Sequence, residues 1–261
     1  MTLDSSKATA RAIAEALASA PFEQVVDLAR QYAGDPRKQV QASCERALRR
    51  HVRETAERER VRAMYELMDD LGGPGVVVGV DEVGRGSIAG PLTVCAVQLP
   101  AEPVVWGVND SKQLTPARRE ELAERIAEVA LGIGICHIPP ERIDEVGMAH
   151  ALREAVAGAV SDLGLQPDRV LMDGNPLGAV PNEVDVVHGD AKVACIAAAS
   201  IVAKVTRDHL MVSLDAAYPG YHLAECKGYG SAEHIAAIRA HGLTPIHRVS
   251  FCGNFLEDSC R

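Results

Sequence analysis

Four carboxylates stand where an apolar run should simply end. Asp81 and Glu82 close a run that begins at Val76, Asp173 ends the apolar part of LMDGN, and Asp190 follows glycine in VVHGDAKV. Each falls at an expected strand end or helix start with glycine close by. Strand ends in open α/β sheets gather at one edge, which is where ligands bind. Carboxylates converging there repel one another unless a cation sits between them. Hard divalent ions such as Mg²⁺ and Mn²⁺ take such oxygens, with water and substrate phosphate as further ligands.

Singly, each acid has a plainer explanation. Asp173-Gly174 is a turn sequence. Asp190 could cap the helix that follows, although Val193 stands where a capping box needs Glu or Gln. On a regular strand Glu82 points away from Asp81, because neighbours alternate faces. Either the chain bends at that point or Glu82 reaches a shared site by another route. It is the conjunction of the four that favours chemistry.

Directly after the paired acids, Arg85 is held between Gly84 and Gly86. This is only part of a dinucleotide fingerprint, with carboxylates where pyrophosphate would need amides. No Gly-Lys pair exists for a Walker-type loop, so nucleotide binding of either kind is disfavoured. In AAASIVAKVTRDHL, Ser200, Lys204 and Asp208 form an i, i+4, i+8 polar stripe on a largely apolar helix. An intrahelical Lys204–Asp208 pair explains two of them and is worth about 0.3–0.5 kcal/mol on an exposed face. Periodicity does not separate that explanation from a stripe bracing the catalytic side of a sheet.

The elements that must carry these residues follow from pattern. Residues 8 to 70 read as helical, broken clearly at Gly34-Asp35-Pro36, with Asp35 the expected cap of a second helix. Gly72-Gly73-Pro74-Gly75 reads as a linker. The expected division is therefore a two-helix appendage over 1–72 and a larger domain over 73–261. From Val76 the pattern becomes strands at 76–82, 92–99, 131–138, 168–173 and 184–188, the first two antiparallel. Helices are expected from Pro116 to about 129, from Pro140 to about 163, from Asp190 to about 217, and after Ser231. The sum is an α/β domain with a mixed sheet.

The 261 residues are 47% apolar, enough for a sizeable core, and no apolar run approaches a membrane span. Asp4 and Glu15 interrupt the N-terminal stretch and argue against a signal peptide, hence for a cytoplasmic protein. Seven scattered cysteines, Cys260 the last, include no C-x-x-C pair, so neither a disulfide framework nor a zinc site is indicated. The formal charge of −9 discourages a nucleic-acid partner. However, Arg37, Lys38, Arg46, Arg49, Arg50, Arg53, Arg58, Arg60 and Arg62 make one segment locally basic. A solvated face laced with ion pairs and a phosphate-binding face both fit it.

The ordered set GVDEVGRG with AGP, NDSKQL, LMDGN, HGDAKV, AAASIVAKVTRD, KGYGS and HRVSF resembles bacterial ribonuclease HII, of the type 2 RNase H family. The resemblance runs from about Val76 to Phe251. DPRKQVQ at 35–41 is similar to the helical N-terminal extension of some members. It implies an RNase H-like fold: a five-stranded mixed sheet flanked by helices, with extra C-terminal helices. It implies an endonuclease that cuts RNA in RNA–DNA hybrids and at single ribonucleotides in duplex DNA, leaving 5′-phosphate and 3′-hydroxyl ends by two-metal-ion hydrolysis.

Position by position, the resemblance makes Asp81, Glu82, Asp173 and Asp190 the catalytic, metal-binding set for Mg²⁺ or Mn²⁺. Gly84, Arg85 and Gly86 become the substrate-reading loop and Tyr229 the substrate-stacking tyrosine. Lys112, Lys227, Ser200 and Lys204 are candidate substrate contacts, and a monomer is expected. Cys226, Gly230-Ser231 and His188 depart from the family pattern and bear on fine substrate contacts. His188, His222 and His247 are taken as structural or substrate-side, because two-metal hydrolysis needs no histidine acid. Another two-metal nuclease of the same fold and a non-catalytic hybrid-binding protein are the alternatives. The complete acidic set speaks against the second.

Overall fold

The computed structural model describes residues 8–256; Asp4 and Cys260 lie outside them. The described residues form two compact units, divided between Arg62 and Ala63. Among them, no helix is long and apolar enough to cross a membrane.

The first unit contains α1 (Ala10–Ser19), α2 (Val25–Gln31) and the first part of α3 (Lys38–Gly72). Thr9 caps α1 by accepting the Ala12 amide. Ile13, Leu17, Val25, Ala29, Tyr32 and Val40 close a small core. The two-helix expectation is corrected to three helices. Pro21 disfavours a helical Ala20, which is extended at ψ 131°, so the first helix ends there. Asp35 is not the cap of α3 either. Its carboxylate accepts the Arg37 amide at 2.9 Å, a local turn, and the helix begins at Lys38.

Much of the basic segment is engaged within this unit. Arg49 pairs with Glu45, Arg58 with Glu54 and Glu23, and Arg60 with Glu57. Arg50 donates to the Leu17, Ala18 and Ala20 carbonyls, satisfying the open end of α1.

The second unit is built on β1 (Val77–Val83), β2 (Leu92–Gln98), β3 (Gly132–Ile138), β4 (Arg169–Asp173) and β5 (Glu183–Val186). They form a five-stranded mixed sheet in the order β3-β2-β1-β4-β5. β1 pairs antiparallel with β2, and β2 with β3, whereas β4 is parallel to both β1 and β5. The helices are α4 (Pro116–Val129), α5 (Pro140–Val146), α6 (Met148–Asp162), α7 (Ala194–Ala217), α8 (Leu223–Cys226), α9 (Ala232–His241) and α10 (Val249–Leu256).

Two expected helices begin or break elsewhere. The helix from Pro140 is two helices, because Gly147 at φ +79° ends α5 before α6 starts. The long helix begins at Ala194 with Val193 at its cap, and Asp190 sits in a separate 3₁₀ turn, Gly189–Ala191. A capping role for Asp190 on that helix is thereby removed.

Each face of the sheet has one principal helix. Val78, Val80, Leu92 and Val94 meet Ala151, Ala155 and Val156 of α6. On the other face α7 lies against β1 and β2. Contact there is backbone to backbone: a Cβ on Gly79 would stand 2.2 Å from the Cys195 carbonyl carbon and 2.4 Å from the Ile196 nitrogen. Ala197, Ala198 and Ala199 are fully buried along this approach. Glycine on the strand and alanine on the helix thus set how near α7 comes to the strand that carries Asp81.

Gly79→Ala therefore forces sheet and helix apart. Urea unfolding is expected to show a loss of about 3 kcal/mol, the upper end for overpacking a core; a loss below about 0.5 kcal/mol would mean the contact yields freely.

Candidate active site

The β1–β2 register is unbroken through Val83, which lies opposite Thr93. Asp81 is therefore on the α7 face with Gly79, and Glu82 on the α6 face with Val80. The chain does not bend. Both side chains nevertheless line one cavity of about 400 Å³, because the strand stops one residue later and Glu82 reaches it around the open end. The Asp81 carboxylate accepts the Glu82 amide at 2.8 Å, which turns it toward the same end. Larger cavities of about 610 and 580 Å³ open elsewhere on the unit, and neither gathers these residues.

Asp173 ends β4, the parallel neighbour of β1. Its carboxylate accepts the Gly189 amide at 2.7 Å and so holds the turn that carries Asp190. Gly189 leaves space in that approach, since a Cβ would meet the end of the Ile196 side chain at 2.7 Å. Lys112, from the 3₁₀ turn Ser111–Gln113, places its ammonium 3.6 Å from Asp190 and 4.0 Å from Asp110. Ser200 and Ser111 hydroxyls lie 3.0 Å apart, and Ser200 is near enough to the Asp81 carboxyl to lower it.

The electrostatics are those of an acid cluster short of positive charge. Burial pushes Asp81 well above the usual carboxylate range, the charges of Glu82 and Asp173 add to it, and Ser200 opposes. Glu82 is raised by burial and by Asp173, with Arg85 opposing from 3.6 Å. Asp190 is raised by burial, Asp173 and Asp110, with Lys112 opposing. Lost solvation lowers Lys112, but Asp110, Asp190, Asp81 and Asp173 outweigh it and raise the ammonium. Among the described residues, no group of three or more Asp, Glu, His or Cys side chains is gathered tightly enough to hold a metal unaided.

The rest of the cavity wall comes from Val83, Gly84, Arg85, Gly86, Ser111, Lys112, Ser200, Lys204 and Tyr229. Asp173 and Asp190 adjoin the acids electrostatically without lining that wall. Lys227 is not brought to it: its ammonium is bound by the Ala224 carbonyl. Lys204 pairs with Asp208 at 2.7 Å, the expected i,i+4 pair, though more sheltered than on an exposed face. His188 and His222 take left-handed backbone at the heads of short turns, and His247 is buried.

Two arginines that the sequence motifs contained, but to which no role was given, hold the loop from behind. Arg207 and Arg248 are fully buried. Arg207 donates to the Pro91, Lys227 and Ala89 carbonyls and to Ser87 Oγ. Arg248 donates to the Gly90 and Arg85 carbonyls. Neither has an ion-pair partner among the carboxylates described, and burial lowers both, Arg248 to about 10 with Arg207 adding to the effect. Gly84, at φ +85°, leaves room for Arg207, whose Nε a Cβ would meet at 2.2 Å. Sequence pattern does not single out Asp110 or Ser111 either. For Arg207, the available signal is a long cationic residue inside a largely apolar helix; Arg248 lies before α10 and offers no such signal.

A mixed sheet in this order, with paired acids ending β1 and another ending its parallel neighbour, defines an RNase H-like nuclease. A family model described as Ribonuclease HII matches residues 78–254, and one described as Ribonuclease HII N-terminal domain matches residues 9–67. Ribonuclease HII of Lachnoclostridium phytofermentans is 44% identical over 225 residues, 85% of this chain and 88% of that protein. The Listeria monocytogenes protein of the same name is 43% identical over 83% of this chain and 84% of its own length. The crystal structure of ribonuclease H2 from Pyrococcus horikoshii OT3 is 27% identical with a TM-score of 0.60, covering 70% of this chain and 98% of that one. The chain belongs to the ribonuclease HII family and is a metal-dependent endoribonuclease of the ribonuclease H type.

A carboxyl raised by folding opposes folding once it ionises. That penalty is absent in acid, where both states are protonated, grows as pH rises through the ordinary carboxylate range, and is complete above the folded-state value. Asp81→Asn is therefore expected to stabilise metal-free protein at neutral pH by about 1 kcal/mol or more, with the gain vanishing in acid. Thermal unfolding in chelator across pH checks it; a loss of stability at neutral pH would contradict the assignment.

Proposed function

We propose that the protein hydrolyses the RNA strand of RNA–DNA hybrids and nicks duplex DNA at single embedded ribonucleotides, leaving 5′-phosphate and 3′-hydroxyl ends. One observation carries this: a cavity with buried, undercompensated carboxylates on one wall and a glycine-arginine-glycine loop with a tyrosine on the other. Asp81, Glu82, Asp173 and Asp190 are the residues that would hold Mg²⁺ or Mn²⁺, and the raised carboxyls of Asp81, Glu82 and Asp190 mark charge that a cation would relieve. When bound, two such ions supply an activated water and stabilisation of the leaving 3′-oxygen.

The chain's own part is to bind, orient and discriminate. Only the 2′-hydroxyl separates RNA from DNA at one nucleotide. Gly86 lines the cavity, and a Cβ there would meet no protein atom within 4 Å. The protein's own packing thus does not explain that glycine; close approach of a sugar does. The Arg85 carbonyl is held by Arg248, so the Gly86 amide of the same trans peptide faces the opposite way. Arg85, with an exposed side chain, can leave Glu82 for the adjacent phosphate. The ring of Tyr229, a residue 39% exposed, offers a flat apolar surface to the neighbouring deoxyribose. Lys112, Lys204 and Ser200 would contact the backbone from the acidic side. Lys227 would have to leave the Ala224 carbonyl to do so.

Residues 73–261 are taken as the catalytic domain and 1–72 as a helical extension, acting in the cytoplasm as a monomer. The test is a duplex carrying one ribonucleotide. With Mg²⁺ or Mn²⁺ the protein should cut it 5′ to a phosphate and leave all-DNA duplex intact, and Asp81→Asn should lower the rate by at least about 10³-fold while retaining binding. An intact ribonucleotide substrate alongside cleavage of all-DNA junctions would instead indicate another two-metal nuclease.

A further inference from the structure

Behind Tyr229 lies a pair of histidines that the proposed chemistry does not use. His234 on α9 and His247 before α10 are both buried, with their Nε2 atoms 3.1 Å apart. His234 Nδ1 is 2.9 Å from the Tyr229 carbonyl oxygen. His247 Nδ1 is 3.0 Å from the Thr244 amide nitrogen and 2.8 Å from its hydroxyl.

Donor and acceptor logic fixes every proton. A carbonyl only accepts, so His234 Nδ1 carries hydrogen. A backbone amide only donates, so His247 Nδ1 carries none. Each neutral imidazole has one N–H. His234 Nε2 is therefore bare, and His247 Nε2–H donates to it. This single arrangement satisfies all four ring nitrogens, with both rings neutral. A further proton on either ring sets N–H against N–H. Burial works in the same direction, lowering His234, and lowering His247 to about 4 with the charge of His234 adding.

The surrounding titratable groups are few. Cys226 Sγ is 3.5 Å from His234 Nδ1, and the Tyr221 ring lies 5.0 Å from that of His247 and 6.3 Å from that of His234. His222 acts on His234 through its charge, and Glu233 is its sequence neighbour. Arg248 follows His247, but its guanidinium is turned to the Gly90 and Arg85 carbonyls.

The chain of bonds ends on backbone that carries a cavity-wall residue. The Tyr229 carbonyl also accepts the Ser231 amide, and its own amide donates to the Cys226 carbonyl. One peptide earlier, the Gly228 carbonyl accepts the Ile88 and Ala89 amides. Both peptide units flanking Tyr229 are thereby fixed, and the ring is left standing in the cavity.

We propose that His247 and His234 are positioning residues: a neutral, directional chain from Thr244 through both rings to the Tyr229 carbonyl sets the tyrosine against the substrate sugar. The proposal rests on Tyr229 contacting substrate, as assigned above.

Long-range ¹⁵N–¹H correlation spectra of the full chain read the tautomers directly. His234 is expected in the Nδ1–H form and His247 in the Nε2–H form, both staying neutral below the usual histidine range. In the single-ribonucleotide assay His234→Leu, which removes the donor, should lower kcat/KM about tenfold, and His234→Asn, which keeps a donor to Tyr229, should stay within about threefold of the parent. His234→Leu should add little to Tyr229→Ala, because both act through one ring. Opposite tautomers, or full additivity of those two substitutions, would overturn the positioning role. Should Tyr229→Ala itself leave cleavage unchanged, the substrate-contact assignment fails, while the tautomers still decide whether the chain of bonds exists.

Discussion

Burying like charges together is expensive, and the architecture of this domain depends on that constraint at one edge of its sheet. Asp81, Glu82 and Asp190 all sit where solvent is reduced, and each is pushed up by burial and by a neighbouring acid. Nothing among the described side chains cancels the set: Arg85 and Lys112 approach only to 3.6 Å, on largely exposed side chains. A fold selected only for stability would replace these acids. Their retention is explained by a function that brings positive charge with it, and a phosphate-cutting enzyme using divalent ions does so.

Positive charge inside the protein is placed where it does not discharge the cluster. Arg207 and Arg248 are spent on main-chain carbonyls of the loops at 84–91 and 227, which makes those loops rigid without neutralising the acids in front of them. Burying a guanidinium without a carboxylate is tolerated only when its donors are well used, and six or more hydrogen bonds from the pair meet that need. The two walls of the cavity are thus opposites: carboxylates whose charge is undercompensated, and a loop whose Arg85, Ala89, Gly90 and Pro91 carbonyls are held from behind. Gly79 and the alanines of α7 supply the third element, a close helix that carries Ser200, Lys204 and Arg207 to this edge.

How much of this was legible in the sequence varies by level. The strands, the antiparallel first pair and the helix from Pro116 follow from alternation and from Thr115-Pro116, which are local signals. The break at Ala20-Pro21 and the one at Gly147 are also local, but a strong helical composition on both sides obscured them. Sequence pattern places Asp190 at the head of the long helix because it does not distinguish a 3₁₀ turn from a first helical turn. Type and spacing single out the four acids. They do not give the geometry, since Glu82 reaches the cavity only because β1 ends at Val83. Arg207, Arg248, Asp110 and Ser111 were hidden for another reason. Their partners are backbone atoms or neighbours of distant sequence number, and no periodicity encodes those.

The claim on which everything else stands is that the buried acids await a divalent cation. Thermal unfolding of the parent protein and of Asp81→Asn, each titrated with Mg²⁺ and with Mn²⁺, tests it most directly, because a ligand that binds only the folded state raises stability with its concentration. The parent midpoint should climb steadily with either ion while that of Asp81→Asn stays nearly flat. Equal shifts in the two proteins, or none in the parent, would contradict the account.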